Sequence, residues 1–274
     1  MIDVVISGAP GRMGRSVCQA VASEEDMRLA GAVGAPARPY VGKDIGTLIG
    51  IGPQNVAIVG DMGAVLRPGR TWVEFSTPAA TIAHAEKVKD LGIPLIIGTT
   101  GLGESDLEKI VAWTDRIPCL LAPNMSVGAN LLFRLSESVS SLLPDFDVEI
   151  IEAHHRFKRD APSGTANHLA ERVARARSHS LKDTVAYGRD PSRGARQADE
   201  IAIHSVRAGD VVGEHTVVFG GLGERIELTH RVHSGNTFAY GTIRAIRYLQ
   251  DQSPGLYTMA DVIEHIMEEK GTPE

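Results

Sequence analysis

The sequence of 274 residues is poor in cysteine, poor in aromatic residues (5%) and free of long apolar runs. Its two cysteines, Cys18 and Cys119, both sit inside apolar segments, which rules against a disulfide framework and points to buried free thiols in a reducing compartment. No apolar stretch reaches the roughly 18 residues that a membrane span requires. The opening "MIDVVISGAPGRMG" enters a strand-like run with no basic leader before it, so a cytoplasmic protein with no membrane partner is expected. Positive charge is scarce as well: 28 Lys and Arg stand against 34 Asp and Glu, a net −6. That balance argues against nucleic acid as a partner, while leaving room for a local basic patch that holds a small anion. Internal repeats and low-complexity tracts are also missing.

What is present is an ordinary globular balance, 43% hydrophobic and 23% charged, over a length that fits one large or two modest domains. The first half alternates short apolar runs with helix-period segments. Strands are predicted at Asp3–Ser7, Arg28–Val33, Val56–Val59, Thr71–Phe75, Pro94–Gly98 and Pro118–Ala122, with amphipathic helices in "PAATIAHAEKVKDLG" and "ESDLEKIVAWTDR". Strand and helix alternating in this way imply an α/β, Rossmann-like parallel sheet with helices on both faces and ligand loops along one edge. After about Asn124 the pattern changes. "ANLLFRLSESVSSLL" places Leu131, Leu132, Leu135, Val139 and Leu142 on one helical stripe, and residues 178–200 read as a long mobile loop. The runs Ile201–Arg207, Val211–Phe219 and Glu224–Val232 predict a second, α+β domain with an open mixed sheet. Two helices close the chain, the last with Thr258 as its cap. The change of pattern after about Asn124 therefore separates an alternating first part from a second domain of a different kind.

Gly8, Gly11 and Gly14 lie three residues apart between the first strand and the first helix. Gly8 permits a tight turn, Gly11 lets backbone approach a pyrophosphate, and Gly14 lets helix pack closely on strand. An acidic residue that would hold the ribose of NAD is expected about twenty residues on, yet that region reads "LAGAVGAPARPYVG". Arg12 and Arg38 offer cations toward a 2′-phosphate instead. "IIGTTG", with Gly98, Thr99 and Thr100, and "LAPNMS", from Ala122 to Ser126, end two later strands on the same predicted ligand edge.

The densest chemistry is in "IIEAHHRFKRDAPSGTA", Ile150 to Ala166. A strand delivers Glu152, His154, His155, Arg156 and Lys158 to its exit, and "APSGTA" then starts a helix that Ser163 can cap. Histidine exchanges protons near neutrality, and lysine supplies a cation or a proton donor. Backbone N–H groups at Gly164 and Thr165 suit a carboxylate. The set fits an anionic substrate that must be protonated. A metal is not expected, because the cluster lacks thiolates and its cations repel a divalent ion.

These residues resemble a known family. "EAHHRFKRDAPSGTA" matches every fixed position of the E-x-H-H-x-x-K-x-D-x-P-S-G-T-A signature of the 4-hydroxy-tetrahydrodipicolinate reductase (dihydrodipicolinate reductase) family. "GAPGRMG", "GTTG", "APNMSVGAN", "RAGDVVGEHTV", "GERIELTHR" and "TFAYG" resemble its other blocks, in its order. The resemblance implies reduction of a cyclic imine dicarboxylate by NADH or NADPH in a homotetramer. It also implies the division of the chain: 1–125 for a dinucleotide-binding domain, 126–236 for a domain that binds substrate and joins subunits, and 237–274 for helices returning to the first. It implies His154 as acid/base, Lys158 as proton donor, and His155, Ser163, Gly164 and Thr165 at the substrate. It also implies cofactor contacts at Gly8, Ala9, Pro10, Gly11, Arg12 and Met13, at Gly98, Thr99 and Thr100, and at Ala122, Pro123, Asn124 and Met125. Two places depart from the family: "GAPAR" stands where an acid and an arginine are common, and Gly235 where arginine is common. The competing readings are another nicotinamide-dependent imine or amine dehydrogenase, and a non-catalytic sensor of the dinucleotide.

Overall fold

The computed structural model describes residues 1–189, 192 and 194–271. The chain forms two compact units, Met1–Val127 with Asn236–Glu274, and Gly128–Gly235. In chain order the elements are β1 (Ile2–Ser7), α1 (Arg12–Ala22), β2 (Met27–Val33), α2 (Ile45–Ile49), β3 (Ile58–Val59), β4 (Arg70–Glu74), α3 (Pro78–Asp90), β5 (Leu95–Ile97), α4 (Glu104–Trp113) and β6 (Pro118–Leu121). There follow α5 (Val127–Leu142), β7 (Asp147–His154), α6 (Gly164–Ala176), α7 (Leu181–Thr184), β8 (Val185–Tyr187), β9 (Ile201–Arg207), β10 (Gly213–Gly220) and β11 (Arg225–Val232). The last are α8 (Asn236–Leu249), β12 (Gly255–Tyr257) and α9 (Met259–Gly271).

The first unit is built on a parallel sheet ordered β12-β6-β5-β4-β1-β2-β3. Its strands are short continuous apolar runs because both faces are covered. Along β1, Val4 and Ile6 pack with Val17 and Val21 of α1 and with Ile243 and Ile246 of α8. Val5 faces the other way, toward Ala85 and Val88 of α3 and Ile110 of α4. Burying each such side chain contributes about 1.5–3 kcal/mol. Strand order reverses between β1 and β4, the switch point at whose carboxyl ends sheets of this kind bind their ligands. This is the expected α/β, Rossmann-like class.

Three details differ from the sequence reading. The predicted strand at Val56–Val59 shortens to Ile58–Val59, because the Asp44 carboxylate captures the N–H groups of Gln54 and Val56. Asp44 also accepts from Thr47 and so caps α2, a five-residue helix too short to carry a periodic signal. Between the two closing helices, β12 adds three residues to the sheet edge beside β6. The cap of α9 is formed by Thr258 Oγ1, which accepts from Ala260 N–H, while Asp261 accepts from the Thr258 N–H.

The second unit carries a mixed sheet ordered β11-β10-β7-β9-β8, antiparallel across β11, β10 and β7 and parallel across β7, β9 and β8. On one face Val148, Ile150, Ile201, Ile203, Val217 and Phe219 pack against Leu132 and Phe133 of α5 and Leu169, Ala170 and Val173 of α6. The same face turns polar farther along β7. Glu152 lies between Ser205 and His215, and the next inward row begins with the paired His154 and Arg207. That change of character places the site described below.

Of the stripe expected on α5, Leu132 is buried and Val139 packs against the core, but Leu131, Leu135 and Leu142 are 37%, 42% and 77% exposed. With Leu132 the helix buries Ala129, Phe133, Ser136 and Ser140. Small inward residues let α5 pack closely, and Arg177 Nε donates to Ser140 Oγ at 2.9 Å. The stretch 178–200, predicted as one loop, contains α7 and β8. Leu181 and Val185 pack against the core there, a signal too brief to stand out from its polar surroundings. Residues 190, 191 and 193 of that stretch, and residues 272–274 of the expected returning helices, lie outside the described residues.

Candidate active site

In the first unit, the loop after β1 is shaped by absent side chains. Gly8 holds φ +75°, and a Cβ on it would stand 2.1 Å from the Phe75 carbonyl oxygen. A Cβ on Gly14 would stand 2.1 Å from the Gly8 carbonyl oxygen. The Gly11 N–H closes the turn onto Gly8 O at 2.8 Å. Gly11 is then the N-cap of α1, with no side-chain cap and no acid in the first helical turn. Uncapped N–H groups at the positive end of a helix, beside backbone that nothing obstructs, fit a pyrophosphate. Ala9 is buried, Pro10 and Met13 are half-buried and Arg12 is exposed.

The neighbouring loops meet this one through Phe75, whose ring fills the place of a Gly98 side chain; a Cβ there would be 2.2 Å from Phe75 Cε1. The Thr99 hydroxyl turns inward, accepting from Ser76 N–H at 3.2 Å and from Thr81 Oγ1 at 2.8 Å, whereas Thr100 is exposed. Ala122 and Met125 are buried, Pro123 is exposed, and Asn124 Oδ1 accepts from Ser126 N–H. Beneath these loops, the fully buried Glu74 accepts from Trp72 Nε1 and Ser76 Oγ and pairs with His84 Nδ1 at 2.7 Å. The sequence reading missed this cluster, whose residues are scattered over β4 and α3. Where an acid is usual after β2, a Cβ on Gly34 would stand 2.6 Å from Tyr40 Cε2. The Tyr40 hydroxyl accepts from the Ala35 N–H, and Arg38 is exposed.

In the second unit the site is made of side chains. Glu152, fully buried on β7, accepts His154 Nδ1–H at 2.5 Å and both ends of the Arg207 guanidinium at 2.8 and 2.9 Å. The Ser163 N–H also donates to it, at 3.2 Å. Burial pushes the Glu152 carboxyl up, but hydrogen bonds from Arg207, Ser205 and His154 outweigh it and hold the group down at about 2. An ionised carboxylate only accepts, so His154 carries its proton on Nδ1 and exposes the Nε2 lone pair. Burial, with smaller contributions from Lys158 and Arg207, lowers the His154 pKa below its ordinary value against the pull of Glu152. The imidazole is therefore mostly neutral at pH 7. Gly213 leaves room beside it: a Cβ there would stand 3.1 Å from Nε2.

The loop after β7 brings the remaining residues to this end of the sheet. Lys158 Nζ pairs with Asp160 Oδ1 at 2.8 Å, and Arg207 also donates to the Asp160 carbonyl oxygen at 2.6 Å. His155 is half-buried, and its carbonyl accepts the Lys158 N–H. Ser163 caps α6 by accepting from Ala166 N–H at 3.2 Å, so the helix presents its start at Gly164 and Thr165 to the same end of the sheet. Gly164 has open space where a side chain would be. Sequence reasoning missed Arg207 and His215. Both sit on strands of the same sheet, and the inward alternation of β10 was the signal available for His215. Among the described residues, no group of three or more His, Cys, Asp or Glu is placed to hold a metal, and no helix is long and apolar enough to cross a membrane.

Comparison with known proteins agrees with this geometry. Sequence profiles described as "Dihydrodipicolinate reductase, N-terminus" and "Dihydrodipicolinate reductase, C-terminus" match residues 2–125 and 128–263. The chain is 44% identical to the 4-hydroxy-tetrahydrodipicolinate reductase of Nitrosomonas europaea, over 96% of this chain and 98% of that one. It is 46% identical to the enzyme of the same name from Rubrobacter xylanophilus, with the same coverage. Among solved structures, the dipicolinate-bound dihydrodipicolinate reductase from Paenisporosarcina sp. TG-14 superposes with a TM-score of 0.77 at 26% identity, covering 94% of this chain and 97% of that one. An amine dehydrogenase from Mycobacterium smegmatis, at 13% identity and a TM-score of 0.59 over 94% of this chain and 95% of that one, shares the fold alone. With both halves matched in order and its relatives aligned almost end to end, the chain belongs to the dihydrodipicolinate reductase family.

Proposed function

We propose that the chain reduces 4-hydroxy-tetrahydrodipicolinate, through the unsaturated cyclic imine left by loss of water, to tetrahydrodipicolinate, with NADH or NADPH as reductant. The observation that carries this reading is the Glu152–His154 pair, buried beside Lys158 and the Ser163-capped start of α6. Relatives that bear the reductase name, and a related structure with a bound pyridine dicarboxylate, support the same substrate class. The dinucleotide, when bound, supplies the hydride. The Gly8–Gly14 loop and the start of α1 hold its pyrophosphate, and the loops at Gly98–Thr100 and Ala122–Met125 line its path. Hydride addition to a conjugated imine builds negative charge on the ring. Lys158 offsets that charge and anchors one carboxylate, while the start of α6 takes the other. His154 Nε2 accepts the proton that the ring carbon gives up as hydroxide leaves, a solvent proton converts that hydroxide to water, and His154 returns its proton to the reduced ring, with Glu152 and Arg207 holding the imidazole in one tautomer.

The division of labour follows the two units: the first binds the dinucleotide, the second binds the dicarboxylate and joins subunits. The protein works in the cytoplasm as a homotetramer, a reading supported by its two buried free thiols and by the exposed leucines of α5. Oxidation of NADH and of NADPH, with substrate generated in place by its synthase from pyruvate and aspartate semialdehyde, tests the activity. Synthase-dependent oxidation of at least one cofactor is expected. No oxidation with either would leave a dinucleotide sensor, and oxidation that needs ammonia and a keto acid instead would indicate an amine dehydrogenase.

A further inference from the structure

His215 belongs to no step described above, yet it is 4% exposed at the centre of the polar end of the second sheet. It faces Glu152 across β10 and β7, and its ring meets the His154 ring edge-on at 5.2 Å. Its Nε2 lies 3.0 Å from Ser163 Oγ, and its Nδ1 has no hydrogen-bond partner among the described residues. Burial first, and the neighbouring His154 second, push its pKa down to about 3, so the ring stays neutral and carries one proton.

Which nitrogen holds that proton decides what Ser163 can do. On Nδ1 it would be a buried N–H donor with nothing to receive it, an arrangement rarer in folded proteins than an under-used acceptor. On Nε2 it is donated to Ser163 Oγ. That oxygen then accepts twice, from His215 Nε2–H and from the Ala166 N–H at 3.2 Å. Both lone pairs are occupied, and Ser163 is left with only its hydroxyl hydrogen to offer. A hydroxyl restricted to donation at the start of a helix matches an anionic oxygen and rejects a donor group.

We propose that His215 is a positioning residue for the substrate: by filling one lone pair of Ser163 Oγ, it makes that serine an obligate donor to a carboxylate oxygen. The inference rests on the dicarboxylate reading of the site. It separates His215, which touches no substrate, from Ser163, which does.

Dipicolinate is the probe, with its affinity measured by calorimetry on the NADH-loaded protein. His215→Phe keeps a ring of similar size and removes the donor, and about tenfold weaker binding is expected, the loss typical of one hydrogen bond. His215→Gln, whose amide reaches near the Nε2 position, is expected to restore affinity to within about threefold. In a Ser163→Ala background, His215→Phe should add less than about twofold, because the two residues act as one unit. NADH affinity should stay level throughout, which a general loss of structure would not allow. Long-range proton–nitrogen correlation spectra of the wild-type protein should show the His215 proton on Nε2. Wild-type dipicolinate affinity in His215→Phe, an undiminished effect without the serine hydroxyl, or a proton on Nδ1 would each overturn the proposal alone. Failure of the wild-type protein to bind dipicolinate would overturn the dicarboxylate reading and the proposal together.

Discussion

The two units build their candidate sites by opposite means. In the first, the candidate cofactor loop after β1 is shaped by what it omits: bare backbone at Gly8 and Gly14, and an uncapped helix start at Gly11. In the second, the candidate site at the polar end of the sheet is made of side chains that are buried and paired, Glu152 with His154, Arg207 and the Ser163 N–H. A backbone cradle needs no titratable group and tolerates many partners that carry a phosphate. A side-chain site fixes protonation states, and so can carry chemistry.

The contrast breaks most completely at Gly14. Gly14→Val puts a branched side chain where even a Cβ lies 2.1 Å from the Gly8 carbonyl, and α1 must move. NADH affinity is expected to fall by more than about 100-fold in equilibrium titration, because the helix start no longer meets the pyrophosphate. Unchanged affinity would make the loop a turn without a ligand.

Glu152→Gln attacks the other half. The amide leaves Arg207 without its carboxylate and no longer obliges His154 to keep its proton on Nδ1. A fall in kcat of about tenfold to a hundredfold is expected, with NADH affinity unaltered. Because Glu152 raises the His154 pKa, its loss should also move the acid limb of the rate profile to lower pH. A limb that stays in place would dissociate the two residues.

The smallest expected effect is on stability. His154 and His215 both titrate below the ordinary value near 6.5 in the folded protein, His215 at about 3. Below pH 6.5 the unfolded chain therefore binds more protons, and stability falls as pH drops through the window from 6.5 toward 3. Glu152 acts in the same direction at more acid pH, since its contribution fades from about 4.5 down to about 2. Between pH 6.5 and 5, His215 alone accounts for about 1–2 kcal/mol. Calorimetric scans should show Tm lower at pH 5 than at pH 7, with a shallower slope in His215→Gln. An identical slope in that variant would contradict a neutral, buried His215.

Legibility in the sequence follows the same contrast. The glycine loop and the parallel sheet were visible because three glycines at fixed spacing and short apolar runs are local signals. The cluster from Glu152 to Thr165 was visible for the same reason. Arg207 and His215 were not, because they reach Glu152 and Ser163 only through strand pairing between β7, β9 and β10. Glu74 and His84 were hidden likewise, one at the end of β4 and the other on α3. On α5 the expected stripe is right at Leu132 and Val139, and only packing turns Ser136 and Ser140 inward in place of Leu131, Leu135 and Leu142. The short strands β8 and β12 fell below any periodic signal.

In the proposed reaction His154 is the group that moves the proton, supported by Lys158. Its most direct test is steady-state kcat of His154→Gln, measured alongside its equilibrium affinity for NADH. A fall of about 10²–10⁴-fold in kcat with NADH affinity within about twofold of wild type is the expected result. Near-normal turnover in His154→Gln would contradict it and leave the buried Glu152–His154 pair a structural one.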